Sequence, residues 1–360
     1  MRLLDFDFDL PAELIAQRPL PHRDDSRMMV VDRKSGRILH SKFKRFPEYL
    51  SQGDVLVLND AKVIPAKAWG EVGHSEVEFL FIKETAAGVW DVLCKPARRV
   101  GVGDRVRFAD GLEAEVAGRG ESGSRTLKFA AADVAAKLKE IGFAPLPPYI
   151  KRKKRGLEDR PRDIERYQTV FAAKEGAIAA PTAGLHFTPE ALGGIEDKGV
   201  EIARVTLEVG LATFQPIRVE RLEDHRMLEE RYEIPETAAR AVNAAKKEGR
   251  KVTAVGTTVV RTLESAALAA RSDETESGPH PDHGSRYVIK PGAAATSLFI
   301  KPGFEFRIID RLLTNFHLPK STLLMLVSAL AGRELILEAY REAVRERYRF
   351  FSYGDCMLIC

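Results

Sequence analysis

A change of texture along the chain constrains its fold more than any other feature of the sequence. Between residues 61 and 129, nine glycines divide the chain into short apolar and β-branched runs. The predicted strands of this stretch are residues 77–82, 89–93, 104–108 and 112–116. Strands this short and closely spaced predict a small antiparallel β-barrel, because a large sandwich would need more residues.

The chain outside this stretch alternates between strands and helices. The predicted elements are a hairpin at 28–39, strands at 55–58, 200–209, 251–255, 298–300 and 304–309, and helices at 235–248, 257–270 and from 189 and 321 onward. A further short strand is expected at Phe6 and Phe8. Such alternation is typical of an α/β layer. The predicted fold class is therefore α/β, with a layered core domain (1–60 and 150–360) and an inserted small antiparallel β-barrel domain (61–149).

Length and composition set the class of protein. A chain of 360 residues with 44% hydrophobic and 30% charged residues fits a globular protein of two domains and excludes a mostly disordered one. No apolar run approaches the roughly 20 residues of a membrane span. The start, MRLLDFDFDLP, carries three aspartates and does not have the pattern of a signal peptide. We therefore expect a cytoplasmic protein that contacts no membrane.

The cysteines and histidines give little sign of a metal site. Three cysteines match neither a disulfide framework nor a zinc site, which usually has four ligands. His280 and His283 flank Asp282 in a polar stretch, and a loop is a better interpretation of that stretch than a metal site.

The whole net charge of +4 is found in one block, residues 151–166, which has eight cations and four anions. A nucleic-acid backbone attracts such a block, although a solvated surface loop has the same composition. The candidate residues for binding a nucleic-acid backbone such as that of tRNA are Lys151, Arg152, Lys153, Lys154 and Arg155.

A buried-type strand, a glycine turn and a helix start follow one another in VTAVGTTVVRTLES (252–265). Free N–H groups at a helix start bind anions, and the hydroxyls of Thr257 and Thr258 add donors. Arg261, one turn into the helix, is able to clamp a carboxylate or phosphate. An ordinary turn capped by threonine is the alternative.

Three other segments place polar groups between apolar runs. AAPTAGLHFTPE (179–190) contains Thr182 and His186 before a helix start, and FFSYGD (350–355) contains Tyr353 and Asp355. LLTNFHLPKSTLLML (312–326) contributes Asn315, His317, Lys320 and Ser321. A lone histidine is often simply packed, and aromatic residues are usually core. Four convergent polar groups in one loop are harder to explain by packing.

Nine segments form one pattern that extends from Asp5 to Ile359. They are FDFDLPAELIAQRPLPHRDDSRMMVVDR, GDVLVLNDAKVIPAKAWG, PLPPYI, RYQTVFA, AAPTAGLHFT, VTLEVGLATFQPI, AVGTTVVRTLES, FIKPGFEFRIIDRLLTNFHLPKSTLLMLVSALAG and YRFFSYGDCMLI. In their order they resemble the S-adenosylmethionine:tRNA ribosyltransferase-isomerase family of queuosine biosynthesis, whose fold joins an α/β core to an inserted barrel.

The resemblance implies a reaction in which S-adenosylmethionine is a ribosyl donor. A base removes a proton from the ribose C5′ next to the sulfonium, adenine leaves, and the aminomethyl group of a 7-deazaguanine in the tRNA anticodon attacks the sugar. Rearrangement expels methionine and gives epoxyqueuosine. The implied partners are S-adenosylmethionine as co-substrate and tRNA. No metal or cofactor is implied, and we expect a monomer.

The chain departs from the family pattern in places. The family usually has histidine where Glu208 and Leu228 stand, and arginine is common where Lys67 stands. The candidates for the base are then His186, Glu208, Glu264 and His317. His186 is the first choice, because an imidazole titrates near neutral pH. Glu208 would replace a histidine only if burial raised its pKa. Arg261 or Lys320 is expected to hold the donor's carboxylate.

Two other functions stay open at this point. The missing histidines suggest a catalytically altered paralogue that acts as an RNA-binding protein. A methyltransferase is disfavoured, because no glycine-rich turn of that class follows the first strand.

Overall fold

A computed structural model describes residues 1–120, 123–130, 133–153, 156–210, 219–277 and 288–360, with only the backbone for 271–277. Contacts divide the chain into two units. The first comprises Met1–Ala61, Thr169–Lys174 and Pro181–Cys360, and the second comprises Lys62–Gln168 and Glu175–Ala180. None of the helices described is long and apolar enough to cross a membrane.

The strands are β1 (Arg27–Asp32), β2 (Arg37–Lys42), β3 (Val55–Asn59), β4 (Ala61–Val63), β5 (Lys67–Val72), β6 (Ser75–Ala86), β7 (Val89–Lys95), β8 (Arg105–Phe108), β9 (Glu113–Arg119), β10 (Ser124–Phe129), β11 (Lys174–Ala177), β12 (Glu201–Leu207), β13 (Glu230–Ile234), β14 (Val252–Val255), β15 (Gly292–Thr296), β16 (Arg311–Asn315) and β17 (Cys356–Ile359). The helices are α1 (Val134–Ile141), α2 (Arg160–Arg166), α3 (Pro189–Asp197), α4 (Glu236–Lys247), α5 (Thr257–Ser277), α6 (Thr322–Ala331) and α7 (Arg333–Arg345).

The first unit is built on a nine-stranded mixed sheet in the order β15-β13-β12-β3-β14-β16-β17-β1-β2. Its centre, from β12 through β3 and β14 to β16, is parallel. All residues of β3 and β14 are buried. Continuous apolar strands of this kind are typical of parallel sheets covered on both faces. The predicted α/β fold class is confirmed by this sheet, its helices and the barrel described below.

One edge of the sheet collects the carboxyl ends of the parallel strands. Leu207, Asn59, Val255 and Asn315 end β12, β3, β14 and β16 there. β17 runs antiparallel to β16 and pairs Cys356 with Asn315, and β1 runs parallel to β17. The starts of β17 and β1 therefore lie at the same edge as those carboxyl ends. We call it the carboxyl edge, and ligands of α/β sheets generally bind there.

The second unit contains a closed barrel of six strands in the order β10-β7-β6-β5-β8-β9, each paired antiparallel to its neighbours. Buried aromatic rings fill it, among them Phe79, Phe81, Phe108 and Phe129. Gly70 on β5 has no room for a side chain, since a Cβ atom there would lie 2.7 Å from Val106 Cγ1. The barrel is confirmed, although the sequence analysis missed β5 and β10.

The second unit extends further along the chain than the expected boundary at residue 149, because it includes residues up to Gln168 and the segment Glu175–Ala180. The basic block therefore belongs to the barrel unit and contains α2. Arg152 forms a two-pronged ion pair with the buried carboxylate of Asp163 on α2, with N–O distances of 2.7 and 2.8 Å. A charge-assisted pair of this geometry fixes the start of the block to the helix.

Three predicted strands are wrong. The N-terminal residues form 3-10 turns at Leu3–Phe6 and Ala12–Leu14. The Asp5 carboxylate accepts the backbone N–H of Arg2 and stabilises the first of them. The strands expected at 298–300 and 304–309 are absent, and the strands of this stretch are β15 and β16. Side chains bond the backbone N–H groups of 298 and 307–309, which are therefore not available for a strand ladder.

Candidate functional site

Three of the turns expected to bind a ligand meet at the carboxyl edge. The 3-10 turn Thr182–His186 lies beside the turn at Gly256, where a Cβ atom would be 3.8 Å from the Cβ of Ala183. Its last residue reaches the end of β16, since the His186 and Asn315 side chains are 3.3 Å apart. The predicted ligand turns at 180–188, 256–261 and 314–321 are thus neighbours.

Glycine allows the first of these turns to sit so deep in the core. A Cβ atom at Gly184 would lie 2.7 Å from the ring of Phe171 and 2.8 Å from Thr169 Cγ2. No residue with a side chain fits there without a shift of buried neighbours. The turn is followed at once by α3, whose N-cap is the hydroxyl of Thr188. The backbone of the turn, and with it His186, is held from both sides.

His186 lies between two hydrogen-bonding side chains. Its Nδ1 atom is 2.8 Å from Ser26 Oγ, and its Nε2 atom is 3.3 Å from Asn315 Oδ1. The amide nitrogen of Asn315 donates to the backbone carbonyl of Phe351 at 2.8 Å. Ser26, His186 and Asn315 are 4%, 3% and 2% exposed. We call these three residues the histidine cluster.

The surroundings of His186 keep its ring uncharged at neutral pH. Burial lowers its pKa to about 4; the bond to Asn315 opposes that shift, and the positive charges of Arg349 and Arg23 add to it. Arg23 also donates to the carbonyl of Leu185 at 3.3 Å, directly before the ring. A neutral imidazole is the form that accepts a proton, so the cluster holds the chemically competent form of a base.

His317 has a different kind of environment. Its Nε2 atom is 3.0 Å from the hydroxyl of Thr314, and its backbone N–H donates to the buried hydroxyl of Tyr340 at 2.9 Å. Burial lowers the pKa of His317 to about 3. These contacts pin the loop after β16 to α7, which is a positioning role.

A buried ion pair occupies the other end of the carboxyl edge. The guanidinium of Arg261, on the first turns of α5, contacts the carboxylate of Glu230 at the start of β13. The other oxygen of Glu230 accepts the backbone N–H of Gly210 at 3.1 Å. Arg261 also donates to the carbonyls of Leu298 at 3.2 Å and Thr296 at 3.4 Å. We call Glu230, Arg261 and Thr296 the arginine cluster.

The two carboxylates proposed as bases lie in opposite settings. Glu264 is fully buried and accepts three backbone N–H groups, those of residues 307, 308 and 309, at 2.9 to 3.0 Å. Burial raises its pKa, and the three N–H groups oppose that shift. Glu208 is exposed, so it lacks the burial that its predicted role requires. Glu264 closes the segment before β16, and Glu208 faces solvent.

The threonines of the expected anion turns are close to the edge. Thr257 is buried, while Thr182 and Thr258 are half-buried. The Oγ1 atom of Thr258 is buried and has no hydrogen-bond partner among the residues that the structure describes. Gly256, in the left-handed region at φ 87°, turns the chain from β14 into α5 and brings these hydroxyls to the edge.

The remaining predicted ligand residues fall into two groups. Lys320 is exposed and its Nζ atom is 3.0 Å from the carboxylate of Asp7, while Ser321 caps α6 through the N–H of Leu324. Tyr353 and Asp355 are buried. Asp355 accepts the backbone N–H groups of Arg27 at 3.0 Å and Arg349 at 2.8 Å, and burial raises its pKa.

The basic block is only partly open to a ligand. Lys151 and Lys153 are exposed, whereas Arg152 is held by Asp163. Lys154 and Arg155 lie outside the described residues, as do His280, Asp282 and His283.

Sequence reasoning missed four residues of the site. Arg23 and Ser26 lie in a short polar run before β1, Glu230 starts a strand, and Arg349 precedes the aromatic pair of FFSYGD. Only the run HRDDS before an apolar strand gave a signal, since a hydroxyl at a strand start can face a ligand edge. The pairing of Glu230 with Arg261 links residues 31 positions apart and follows only from the fold.

Comparisons with known proteins agree over the full length of the chain. A family model described as a queuosine biosynthesis protein matches residues 3–359. Relatives from Carboxydothermus hydrogenoformans and Halothermothrix orenii are 52% and 47% identical over alignments of 363 residues, which cover 100% of this chain and of each relative. Both relatives are named S-adenosylmethionine:tRNA ribosyltransferase-isomerase.

A solved structure is similar in fold as well as sequence. It is the crystal structure of S-adenosylmethionine tRNA ribosyltransferase from Thermotoga maritima, with a TM-score of 0.53 and 39% sequence identity. The match covers 99% of this chain and 100% of that one.

Proposed function

This chain belongs to the queuosine biosynthesis protein family, and we propose how its residues carry out the reaction of that family. It is a tRNA-modifying transferase with S-adenosylmethionine as co-substrate, in the class of S-adenosylmethionine:tRNA ribosyltransferase-isomerases. The tRNA base that it modifies is 7-aminomethyl-7-deazaguanine at the wobble position, and the product is epoxyqueuosine, with release of adenine and methionine. The chain acts as a monomer, in the cytoplasm where tRNA is found.

The observation that carries the proposal is the meeting of three polar turns around a neutral, buried His186. A base that removes a proton from a carbon next to a sulfonium must be unprotonated before the reaction. His186 meets this condition at neutral pH. His317 is engaged by Thr314 and Glu264 by three backbone groups, and Glu208 lies in solvent, so His186 stays the first choice for the base.

A cation that binds the donor's carboxylate must first give up its ion-pair partner within the protein. Lys320 pairs with Asp7 at the surface, with side chains 42% and 41% exposed, and an exposed pair of this kind contributes about 0–1 kcal/mol. Arg261 pairs with Glu230 with side chains 8% and 3% exposed, and breaking a buried pair costs about 3–5 kcal/mol. We assign the carboxylate to Lys320, with Arg261 as an anchor of the site.

The tRNA backbone is bound by cations of the basic block other than Arg152. Lys151, Lys153, Lys154 and Arg155 contact phosphates without reading bases. Replacing Lys151, Lys153 and Lys154 together with alanine should weaken cognate and non-cognate tRNA alike and flatten the dependence of affinity on salt. Arg152 is left in place in this variant, because its removal would leave the buried carboxylate of Asp163 without its ion-pair partner. An unchanged affinity and salt slope would mean that the three lysines are solvated surface residues that do not contact the tRNA.

The experiment that tests the function follows both leaving groups. The purified chain is incubated with S-adenosylmethionine and tRNA that carries the modified base, and adenine and methionine are quantified. Equal amounts of both, dependent on the modified tRNA, are expected. A matched tRNA with guanine at the wobble position serves as the control. Binding of tRNA without release of adenine would identify an RNA-binding paralogue, and S-adenosylhomocysteine as product would identify a methyltransferase.

A further inference from the structure

The amide of Asn315 has only one orientation that satisfies its neighbours. Its nitrogen donates to the carbonyl of Phe351 at 2.8 Å, and its oxygen faces Nε2 of His186 at 3.3 Å. A flipped amide would place its oxygen against the carbonyl oxygen of Phe351, so two acceptors would meet in a buried site. The carbonyl of Phe351 would keep the N–H of Gly354, which it accepts at 2.8 Å, but the flipped amide oxygen would face an acceptor instead of a donor. A buried acceptor without a partner costs roughly 1–3 kcal/mol, which disfavours the flip.

This orientation decides which ring nitrogen of His186 carries the proton. The oxygen of Asn315 only accepts, so Nε2 must donate and hold the proton of the neutral ring. Nδ1 is then the basic nitrogen, and it accepts a hydrogen bond. Ser26 Oγ, 2.8 Å away, is the donor to it. The alternative acceptor for the Ser26 proton, the carbonyl of Arg23, is more distant at 3.3 Å.

The basic nitrogen does not face solvent. His186 is 3% exposed, and the ring of Phe43 lies over it with centroids 5.5 Å apart. Ser26 follows the half-buried 3-10 turn Arg23–Asp25 and precedes β1. The start of β1 lies at the carboxyl edge, so the Ser26 oxygen, in contact with Nδ1 of His186, is at that edge as well. The arrangement of a hydroxyl, an imidazole and an orienting amide is the one used to activate hydroxyl groups in enzymes.

We propose that Asn315 is a positioning residue that keeps the proton on Nε2 of His186, and that Ser26 is a catalytic residue through which Nδ1 receives the proton of the bound donor. The inference rests on the proposed function. In the step, the C5′–H bond breaks and its electron pair stays on the carbon beside the sulfonium. The proton passes to Ser26 Oγ as the hydroxyl proton of Ser26 passes to Nδ1, and an imidazolium forms.

Charged groups near the ring affect the pKa of His186. Arg23, on the turn before β1, and Arg349, on the segment after α7, are the charged groups that act on His186. Both are cations, so they oppose the imidazolium. A carboxylate in place of the Asn315 amide would reverse this balance at Nε2. The variant Asn315→Asp is nearly isosteric and keeps an acceptor at Nε2, so it tests the effect of charge at this nitrogen; its second oxygen faces the carbonyl of Phe351 in place of the donating amide nitrogen.

The first experiment reads the tautomer of His186 without any assay of activity. Full-length protein labelled with ¹⁵N-histidine is studied by two-bond ¹H–¹⁵N correlation, and the His186→Gln variant identifies the signals among the eight histidines. The parent should show the neutral Nε2–H tautomer from pH 5.5 to pH 8. In Asn315→Asp, the pH at which the ring becomes protonated should rise by roughly 1 to 3 pH units, because an adjacent carboxylate stabilises the imidazolium. A neutral Nδ1–H tautomer in the parent would overturn the inference.

The second experiment follows exchange of the donor's C5′ hydrogen in D₂O in the presence of modified tRNA. Ser26→Ala should lower the exchange rate by about 10² to 10⁴, the usual worth of a positioned acid or base, and Ser26→Thr should restore part of it. Tyr348→Phe is the matched control, because it also removes a hydroxyl held 2.8 Å from an imidazole, that of His40. Its exchange rate should equal that of the parent.

The outcomes separate the inference from the proposed function. An inactive parent with the Nε2–H tautomer would end the proposed function and leave the positioning role of Asn315 supported. An active parent whose Ser26→Ala variant exchanges at the parental rate would remove Ser26 from the reaction. If Ser26→Ala does not fold, the inference is tested by the tautomer of the parent and by the exchange rate of Ser26→Thr, since both proteins keep the hydroxyl. An Nδ1–H tautomer in the parent, or a Ser26→Thr variant without exchange, would overturn the inference.

Discussion

The two buried polar clusters at the carboxyl edge of one sheet differ in how firmly their charges are held. The arginine cluster binds a full positive charge to a full negative charge and satisfies the remaining donors with backbone carbonyls. The histidine cluster contains no formal charge at neutral pH and is joined by hydrogen bonds of 2.8 and 3.3 Å. The arginine cluster is stable only while Arg261 and Glu230 stay paired, whereas the histidine cluster can gain a proton on the ring of His186.

The two clusters differ in whether they can take part in a reaction or only support the site. Breaking a buried ion pair leaves an uncompensated charge, so the arginine cluster resists the exchange of partners that catalysis requires. A neutral imidazole with a hydroxyl on one nitrogen and an amide on the other changes state by moving protons only. We therefore expect substitutions in the histidine cluster to act mainly on rate and those in the arginine cluster mainly on stability.

The largest expected effect is on the rate and comes from the histidine cluster. His186→Gln should lower C5′ exchange and adenine release by about 10² to 10⁴, because the side chain keeps its polarity and loses its basic nitrogen. His317→Gln is the comparison, since His317 is also buried but binds Thr314. Rates of both variants are measured with modified tRNA. A large loss in His317→Gln with none in His186→Gln would exchange the roles of the two histidines.

The next effect is on stability and comes from the arginine cluster. Glu230→Ala should lower the free energy of unfolding by about 3–5 kcal/mol, since Arg261 would remain buried without its partner. Urea unfolding of the variant and the parent measures the difference. The double variant Glu230→Ala/Arg261→Ala should be less destabilised than the sum of the two single variants, because no lone charge remains. A Glu230→Ala variant within 1 kcal/mol of the parent would show that the pair is not the anchor.

A third effect compares the clusters through pH. Burial lowers the pKa of His186 to about 4 and that of His317 to about 3, whereas the same rings in the unfolded chain have their ordinary pKa near 6.5. Between pH 6.5 and pH 4 the unfolded chain binds more protons than the folded one. Stability should therefore fall as the pH falls through this window, by up to about 1.4 kcal/mol per pH unit for each histidine.

Thermal unfolding at pH 7, 6, 5 and 4.5 measures this slope. His186→Gln and His317→Gln should each remove part of it. Glu230→Ala should keep the part of the slope that comes from the histidines, because the arginine cluster contains no histidine. A flat profile in the parent would mean that both rings keep their ordinary pKa in the folded protein, which would contradict the effect of burial.

Sequence patterns predicted the parts of this fold that depend on local chemistry. Val252–Val255, Gly256 and the threonines that follow were recognised as strand, turn and helix start, and Thr188 as a cap, because each signal lies within a few residues. The strand expected at 304–309 failed for the opposite reason. A carboxylate 43 to 45 positions away, that of Glu264, binds its backbone N–H groups.

The same limit applies to the candidate site. The three turns predicted to bind a ligand were singled out because their residue types are unusual for packing, yet the side chains that contact them come from distant segments. Ser26 is 160 residues from His186, and Glu208 was judged without knowledge of its exposure. Arg261 was expected to hold a ligand because its partner Glu230 gives no signal in the sequence. The sequence resemblance identified the reaction class, and only the fold separates a held cation from an available one.

The smallest expected effect concerns Lys320, whose ion pair is exposed, in contrast to the buried ion pair of Arg261. Its ion pair with Asp7 is exposed on both sides, so Lys320→Ala should change the free energy of unfolding by less than about 1 kcal/mol. If Lys320 binds the donor's carboxylate, the KM for S-adenosylmethionine should rise by about tenfold, as a lost charge-assisted bond of roughly 1.5 kcal/mol requires. The kcat should change little, because the contact is the same in the ground state and the transition state.

Asp7→Asn is the matched control for Lys320→Ala. It removes the same ion pair but leaves the ammonium, so it frees Lys320 for the donor and should lower the KM slightly or leave it unchanged. Steady-state kinetics at saturating tRNA measure both variants. Equal KM values for Lys320→Ala and the parent would return the carboxylate to Arg261, and the arginine cluster would then have to open for the donor. In that case Glu230→Gln, which weakens the hold on Arg261, should lower the donor's KM, and the division between a supporting and a reacting cluster would no longer hold.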